Sequence, residues 1–217
     1  MPDERDLWWR VARGTVGGAF EATLRVTYAG LGHVPTEGAA LLTYNHVSVL
    51  DPIPVALGAY RRGRITLFVG LAEVFDIPVL GWGLRRLRQV PLRRGEGDQR
   101  ALGAAIEALL SGGLVAMAPE GRVGTGDELQ RGHTGAARVS LSARVPVLAA
   151  AVWGTQRRWP QGGPRFGGPV RPEVAVVYGP PVVVGGDPSS PADVAAATAR
   201  IMDALAGQVE VARRLAP

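Results

Sequence analysis

Short apolar runs alternate with amphipathic segments along most of this chain, and that alternation restricts the fold more than any other feature. After Pro35, Ala39 to Tyr44 reads as a strand and Pro52 to Tyr60 as a helix ended by Arg61-Arg62-Gly63. Ile65 to Val69 reads as a β-branched strand, Val79 to Leu87 as a helix, and Gln89 to Leu92 as a short strand. A well-patterned helix over Asp98 to Leu110, stopped by Gly112-Gly113, leads into a buried strand from Leu114 to Ala118. Thr134 to Ala143 (helix) and Val147 to Trp153 (strand) follow, then a Gly- and Pro-rich loop over 160–172. Val174 to Tyr178 (strand) and Pro191 to Leu205 (helix) complete the series. Strands that alternate with helices predict an α/β fold class: a single domain with a mostly parallel or mixed sheet flanked by helices.

The first 28 residues read as one helix. Trp9, Ala12, Val16, Phe20 and Thr23 recur at spacings of three and four, forming one apolar stripe. Trp8-Trp9, flanked by Arg5 and Arg10, has the composition of a helix lying in a membrane interface. A helix packed on the core is the plainer alternative. Gly14, Gly17 and Gly18 each weaken a helix by about 1 kcal/mol, and tight packing is the expected reason for them. These features divide the chain into an N-terminal helical, membrane-interfacial segment over 1–30 and an α/β domain over 31–217.

Composition removes several function classes. With 217 residues, 47% of them apolar, the chain can bury one sizeable core. Cysteine is absent, which excludes disulfides, thiolate metal sites and a cysteine nucleophile. All 24 basic residues are arginine, against 19 acids, so no lysine is present for a Schiff base or a P-loop. The longest charge-free apolar run, Val145 to Thr155, is about half of the ~20 residues that span a bilayer. Met1-Pro2-Asp3-Glu4-Arg5 lacks the plan of a signal peptide. A cytoplasmic protein with peripheral contact at the inner face of the membrane is expected.

Three constellations carry chemistry. In Asn45-His46-Val47-Ser48-Val49-Leu50-Asp51-Pro52, a histidine and an aspartate lie five apart directly after a strand. Five residues of regular helix turn roughly 500°, which would set the two side chains ~140° apart. Asp51-Pro52 instead has the form of an N-cap followed by proline at the first helical position, with Asp51 pushed off helical angles. His46 then sits in the strand–helix loop and can fold back onto Asp51. A histidine supported by a carboxylate is a general base near neutral pH. A loop histidine beside an unrelated cap is the alternative. The second constellation, Pro119-Glu120-Gly121-Arg122, ends a strand, where open α/β sheets bind ligands. An ordinary turn with a surface ion pair is its alternative. The third is five arginines in ten residues: Arg85, Arg86, Arg88, Arg93 and Arg94. Guanidinium groups suit phosphate oxygens, and a solvated basic face is the alternative.

Taken together these residues resemble the glycerolipid acyltransferases of the lysophosphatidic acid acyltransferase type. Asn45-His46 through Asp51 matches the His-x4-Asp block. Gly81-Trp82 through Val90-Pro91-Leu92-Arg93-Arg94 matches the second block, which ends in arginine. Pro119-Glu120-Gly121 matches the third, and Val145-Pro146-Val147 with its apolar strand the fourth. Gly135-Ala136-Ala137-Arg138, Trp153-Gly154-Thr155 and Tyr178-Gly179-Pro180-Pro181 also fit, so the resemblance runs from about residue 25 to 185.

The resemblance implies acyl transfer from an acyl thioester, on coenzyme A or acyl carrier protein, to the hydroxyl of a lysophospholipid. His46 is then the base and Asp51 its support. Arg94, with Glu120, Gly121 and Arg122, binds the acceptor phosphate, and backbone N–H groups near the helix start are expected to stabilise the oxyanion. No cofactor is implied, and His33, His46 and His133 have no metal-ligand spacing. The chain departs from the family pattern at Leu71, where a basic residue is frequent, and at Arg88, where glycine is usual. It departs again at Val123, where a threonine-arginine continuation is usual, and at Ala149, the place of a second proline. These positions surround the acceptor side. A second reading therefore keeps the chemistry on another acceptor: a glycolipid, an amino lipid or a secondary metabolite. A third reading is a non-enzymatic protein that binds anionic membrane or nucleic acid. No recognition module for nucleic acid is present, and no aromatic residues interleave with the arginine cluster. A serine hydrolase built on Ser48 lacks the G-x-S-x-G elbow.

Overall fold

A computed structural model describes residues 7–93, 99–126 and 128–217. Among the described residues, seven strands form one sheet in the order β1-β7-β6-β2-β5-β3-β4. They are β1 (Arg25–Ala29), β2 (Ala40–Tyr44), β3 (Thr66–Leu71), β4 (Val90–Leu92), β5 (Leu114–Met117), β6 (Val147–Trp153) and β7 (Glu173–Val182). The five strands from β6 to β4 run parallel; β7 is antiparallel to β6 and carries β1 parallel to itself. The expected α/β class with a mostly parallel mixed sheet is the observed one.

Side-chain alternation along the central strands sorts residues onto two faces. Leu42 and Tyr44 of β2 face one core with Phe20, Leu24 and Val55. Leu41 of β2, with Val115 and Met117 of β5, faces the other core, beneath Ala105, Val139 and Ile201. The first core is covered by the N-terminal helix and α3 (Pro52–Arg61). The second is covered by α5 (Gln99–Leu110), α6 (Gly135–Ala143) and α7 (Pro191–Leu215).

Three expectations are corrected. The helix does not extend to residue 28: α1 (Leu7–Ala12) and α2 (Gly18–Thr23), joined by a π-helical turn over Arg13–Gly17, are followed by strand β1. Val26-Thr27-Tyr28 is β-branched and aromatic, and the edge offered by β7 satisfies it better than another helical turn. The π-helical turn also rotates the buried face. Trp9, Gly17 and Phe20 are buried, while Val16 and Thr23 of the expected stripe are exposed. Of the three glycines, Gly17 is the close-packed one: a Cβ there would lie 2.8 Å from Leu57 Cδ2 on α3. The last helix continues past Leu205 to Leu215, because Val209 and Ala212 keep burying its inner face.

The departure at Arg88 has a backbone consequence. Arg88 ends the turn after α4 (Pro78–Arg86) with φ +57, the left-handed region that glycine adopts freely. An L-residue there costs about 1–2 kcal/mol, partly offset by glycine's greater unfolded-state freedom. Arg88→Gly is therefore expected to stabilise the fold by about 0.5–1 kcal/mol, a rise in Tm of a few degrees for a domain of this size. Thermal denaturation followed by circular dichroism checks it, and an unchanged or lower Tm would refute it.

Candidate active site

The site is built on the C-terminal ends of three neighbouring parallel strands. β2 lies between β5 and β6, and chemistry-bearing residues follow each: His46 after β2, Glu120 after β5, Thr155 after β6. Asn45 fixes the spacing of two of these ends. Its side chain donates to Val152 O (2.9 Å) and accepts from Val152 N–H (2.7 Å), continuing the ladder where β2 stops.

His46 folds back onto Asp51, with Nδ1 2.9 Å from Oδ2. Asp51 is fully buried, and His46 is 17% exposed. An ionised carboxylate only accepts, so Nδ1 carries the proton and Nε2 of the neutral ring is left as an acceptor. Asp51 does not play the capping role its sequence suggests. Pro52 begins α3, but Asp51 has φ −56 and ψ −38, already helical, and makes no side-chain cap. Its carboxylate turns back into the loop, where Oδ2 accepts from Val47 N–H (2.7 Å) and Ser48 N–H (2.8 Å). Oδ1 accepts from Thr155 Oγ1 at 2.5 Å. Four donors thus satisfy one buried carboxylate.

Those bonds bear on the backbone N–H groups expected to stabilise an oxyanion. Five of the N–H groups near the start of α3 already have partners within the loop and the first turn. Val47 and Ser48 are committed to Asp51, Leu50 to Ser48 Oγ, Asp51 to Ser48 O and Ile53 to Leu50 O. Pro52 and Pro54 have no N–H to offer.

Glu120 is 3% exposed. One carboxylate oxygen accepts from His46 N–H (2.7 Å), the other from Gln130 N–H (2.8 Å). Burial raises its pKa, and the two N–H bonds pull in the opposite direction. Glu120 therefore ties the His46 loop to the segment that follows β5, and Gly124 N–H closes the same ring on His46 O (2.6 Å). Gly121 sits in the turn beside it, its N–H on Ala118 O (3.1 Å). Arg122 is exposed and donates to the Gln130 side chain (2.9 Å). Arg94 lies outside the described residues. Tyr44, buried beneath the pair, presents its ring edge-on to His46 at 5.8 Å, and burial pushes its hydroxyl well above its ordinary range.

Thr155 is the residue that the sequence motifs flagged without a role. Of the departures from the family pattern, Ala149 is buried inside β6, Val123 follows Arg122, and Leu71 ends β3. A cavity of about 170 Å³, lined by Arg64 to Leu67, Leu87 and Arg88 among others, lies at the opposite end of the sheet from His46.

A family model described as Acyltransferase matches residues 25–153, more than half of the chain. The chain belongs to the acyltransferase family. Its fold matches the crystal structure of the 1-acyl-sn-glycerophosphate (LPA) acyltransferase PlsC from Thermotoga maritima, with a TM-score of 0.72 at 25% identity. That match covers 94% of this chain and 79% of the other. A lyso-ornithine lipid O-acyltransferase of Pseudomonas aeruginosa is 33% identical over 146 residues, 67% of this chain and 52% of that protein. A chloroplastic 1-acyl-sn-glycerol-3-phosphate acyltransferase of Arabidopsis thaliana is 28% identical over 141 residues, 64% of this chain and 38% of that protein. The chain spans about two fifths of the length of its mycobacterial relatives, which are uncharacterized.

Proposed function

We propose that this acyltransferase moves a fatty acyl group from an acyl thioester of coenzyme A or acyl carrier protein to the hydroxyl of a lysophospholipid. Lysophosphatidic acid, giving phosphatidic acid, is the favoured acceptor. The observation that carries the reading is the His46 Nδ1–Asp51 Oδ2 bond of 2.9 Å, which aims the proton of the ring at a buried carboxylate. His46 Nε2 takes the proton of the acceptor hydroxyl, whose oxygen attacks the thioester carbonyl. A C–O bond forms, the C–S bond breaks, and the leaving thiolate takes the proton from the imidazolium. Asp51 holds the imidazolium while it exists. Arg94, Gly121 and Arg122 bind the acceptor phosphate, and Glu120 shapes that side through its two backbone bonds.

A second reading, the same chemistry on an amino-lipid acceptor, is favoured by the lyso-ornithine lipid relative. A screen of lysolipids with both donors separates the two. Preference for phosphate-bearing lysolipids that Arg94→Ala removes supports the first. Equal or better use of a lyso-amino lipid supports the second.

The acceptor's chemistry demands a lipid surface, and the chain offers one fitting face. No helix among the described residues is long and apolar enough to cross a membrane. Leu7, Ile77, Val79, Leu80 and Trp82 are exposed apolar residues on α1 and at the start of α4. Trp8 and Trp82 meet edge-to-face at 5.0 Å, with the Arg86 guanidinium over both rings at 5.3 and 5.5 Å. Exposed aromatic and aliphatic side chains ringed by arginine suit an anionic lipid interface at the inner face of the membrane. Val79→Asp is expected to weaken sedimentation with phosphatidylglycerol vesicles by about tenfold, the loss of one buried aliphatic side chain. Its Tm should not change, since Val79 is 84% exposed. Wild-type binding by the variant would refute this face.

A further inference from the structure

We infer that Thr155 is a positioning residue for acyl transfer, acting on the reaction through Asp51. The inference rests on the reading of His46 as the base. Thr155 follows β6 and lies 104 residues from Asp51 in sequence, yet its Oγ1 is 2.5 Å from Asp51 Oδ1, and both residues are fully buried. The bond has one direction: the carboxylate cannot donate, so the hydroxyl does. Oδ2 is already held by His46, Val47 and Ser48. Among the described residues, the donor to Oδ1 is Thr155.

The placement is built rather than incidental. Gly154 precedes Thr155 with φ +99, and a Cβ there would lie 2.1 Å from Glu173 O on β7. Only glycine lets the chain pass that close to β7 and turn at once into the 3-10 turn over Thr155–Arg157. The turn delivers the hydroxyl to the carboxylate across the β6–β2 boundary, beside the Asn45–Val152 bonds.

The consequence follows from treating His46 and Asp51 as one titrating unit. With the ring neutral, the unit carries one negative charge, and Thr155 donates to the oxygen that bears part of it. Adding a proton anywhere on the unit neutralises it. Losing a donor to the charged form therefore raises the pKa of the pair, whichever atom takes the proton. Two other titratable groups face the pair. Glu120 is held on His46 N–H from the β5 side, and Tyr44 lies edge-on to the ring from β2. Neither changes when Thr155 is replaced, so the shift is attributable to the hydroxyl.

Thr155→Val keeps the size and removes the donor; Thr155→Ser keeps the donor and removes a methyl. In Thr155→Val the acid limb of the kcat/KM profile is expected to move up by about one pH unit, so that kcat/KM on that limb falls by about tenfold. Thr155→Ser should restore both. The His46 ring titration, followed by NMR on the full chain without substrate, should move upward in Thr155→Val and return in Thr155→Ser. An unmoved ring titration in a folded Thr155→Val protein would overturn the inference. So would a serine variant that behaves like the valine one. The NMR titration does not depend on acyl transfer, so loss of the His46 reading would show in the assay while the Thr155–Asp51 coupling is judged on the ring alone.

Discussion

His46→Ala is expected to lower acyl transfer by 10²–10⁴-fold, the span associated with removing a positioned general base. Without the ring, the partners left on Asp51 among the described residues are two backbone N–H groups and the Thr155 hydroxyl, none of them a base for the acceptor proton. If His46 is the base, as proposed, the loss should fall on kcat rather than on KM. The fold should survive. Asp51 keeps Val47 N–H, Ser48 N–H and Thr155 Oγ1, and Glu120 still receives the backbone N–H of residue 46. A far-UV spectrum and Tm close to wild type must accompany the lost activity. A large fall in Tm would instead make the ring a structural element.

Asp51→Asn should be the second most damaging change, and for a different reason. The carboxylate receives four donors on two oxygens. An amide offers one accepting oxygen and a pair of N–H donors, so at least one existing donor meets another donor. If the amide nitrogen takes the Oδ2 place, it confronts His46 Nδ1–H and reverses the tautomer, moving the proton to Nε2, where it blocks base catalysis. A wrong-tautomer change of this kind in the serine protease triad, a worked case for that system, costs about 10⁴-fold in kcat. If instead the nitrogen takes the Oδ1 place, it meets Thr155. Both outcomes leave a buried polar group unsatisfied, so stability should also drop by about 1–3 kcal/mol. Steady-state kinetics and denaturant titration read the two effects. The double variant His46→Ala/Asp51→Asn should lose little more activity than His46→Ala alone, because the two residues act as a unit. Full additivity would contradict a shared role.

The parts of this site legible in sequence are those encoded locally. The His46–Asp51 pairing follows from a strand end, a five-residue spacing and a proline that starts the next helix, all within eight residues. The strand–helix alternation likewise encodes most elements, since each run shows its period in a short window. What escapes is set by distant segments. Strand β1 needs the edge of β7, with Arg25 opposite Glu173, and its own residues continue a pattern that looks helical from the N-terminal side. The π-helical turn at Arg13–Gly17 moves the buried face by a residue that no period reveals. Asp51 has the spelling of a helix cap, yet four donors around it, one from 104 residues away, draw the carboxylate the other way. Glu120 reads as a head-group ligand at a strand end. Its actual partners are the backbone N–H groups of His46 and Gln130, invisible until the loop is closed.

The most direct test is thiol release by the purified chain given palmitoyl-coenzyme A and lysophosphatidic acid, with phosphatidic acid measured alongside. Wild type should release one thiol per phosphatidic acid formed, only when the acceptor is present, and His46→Ala should release none above background. Acceptor-dependent release by a folded His46→Ala protein at the wild-type rate would contradict the account.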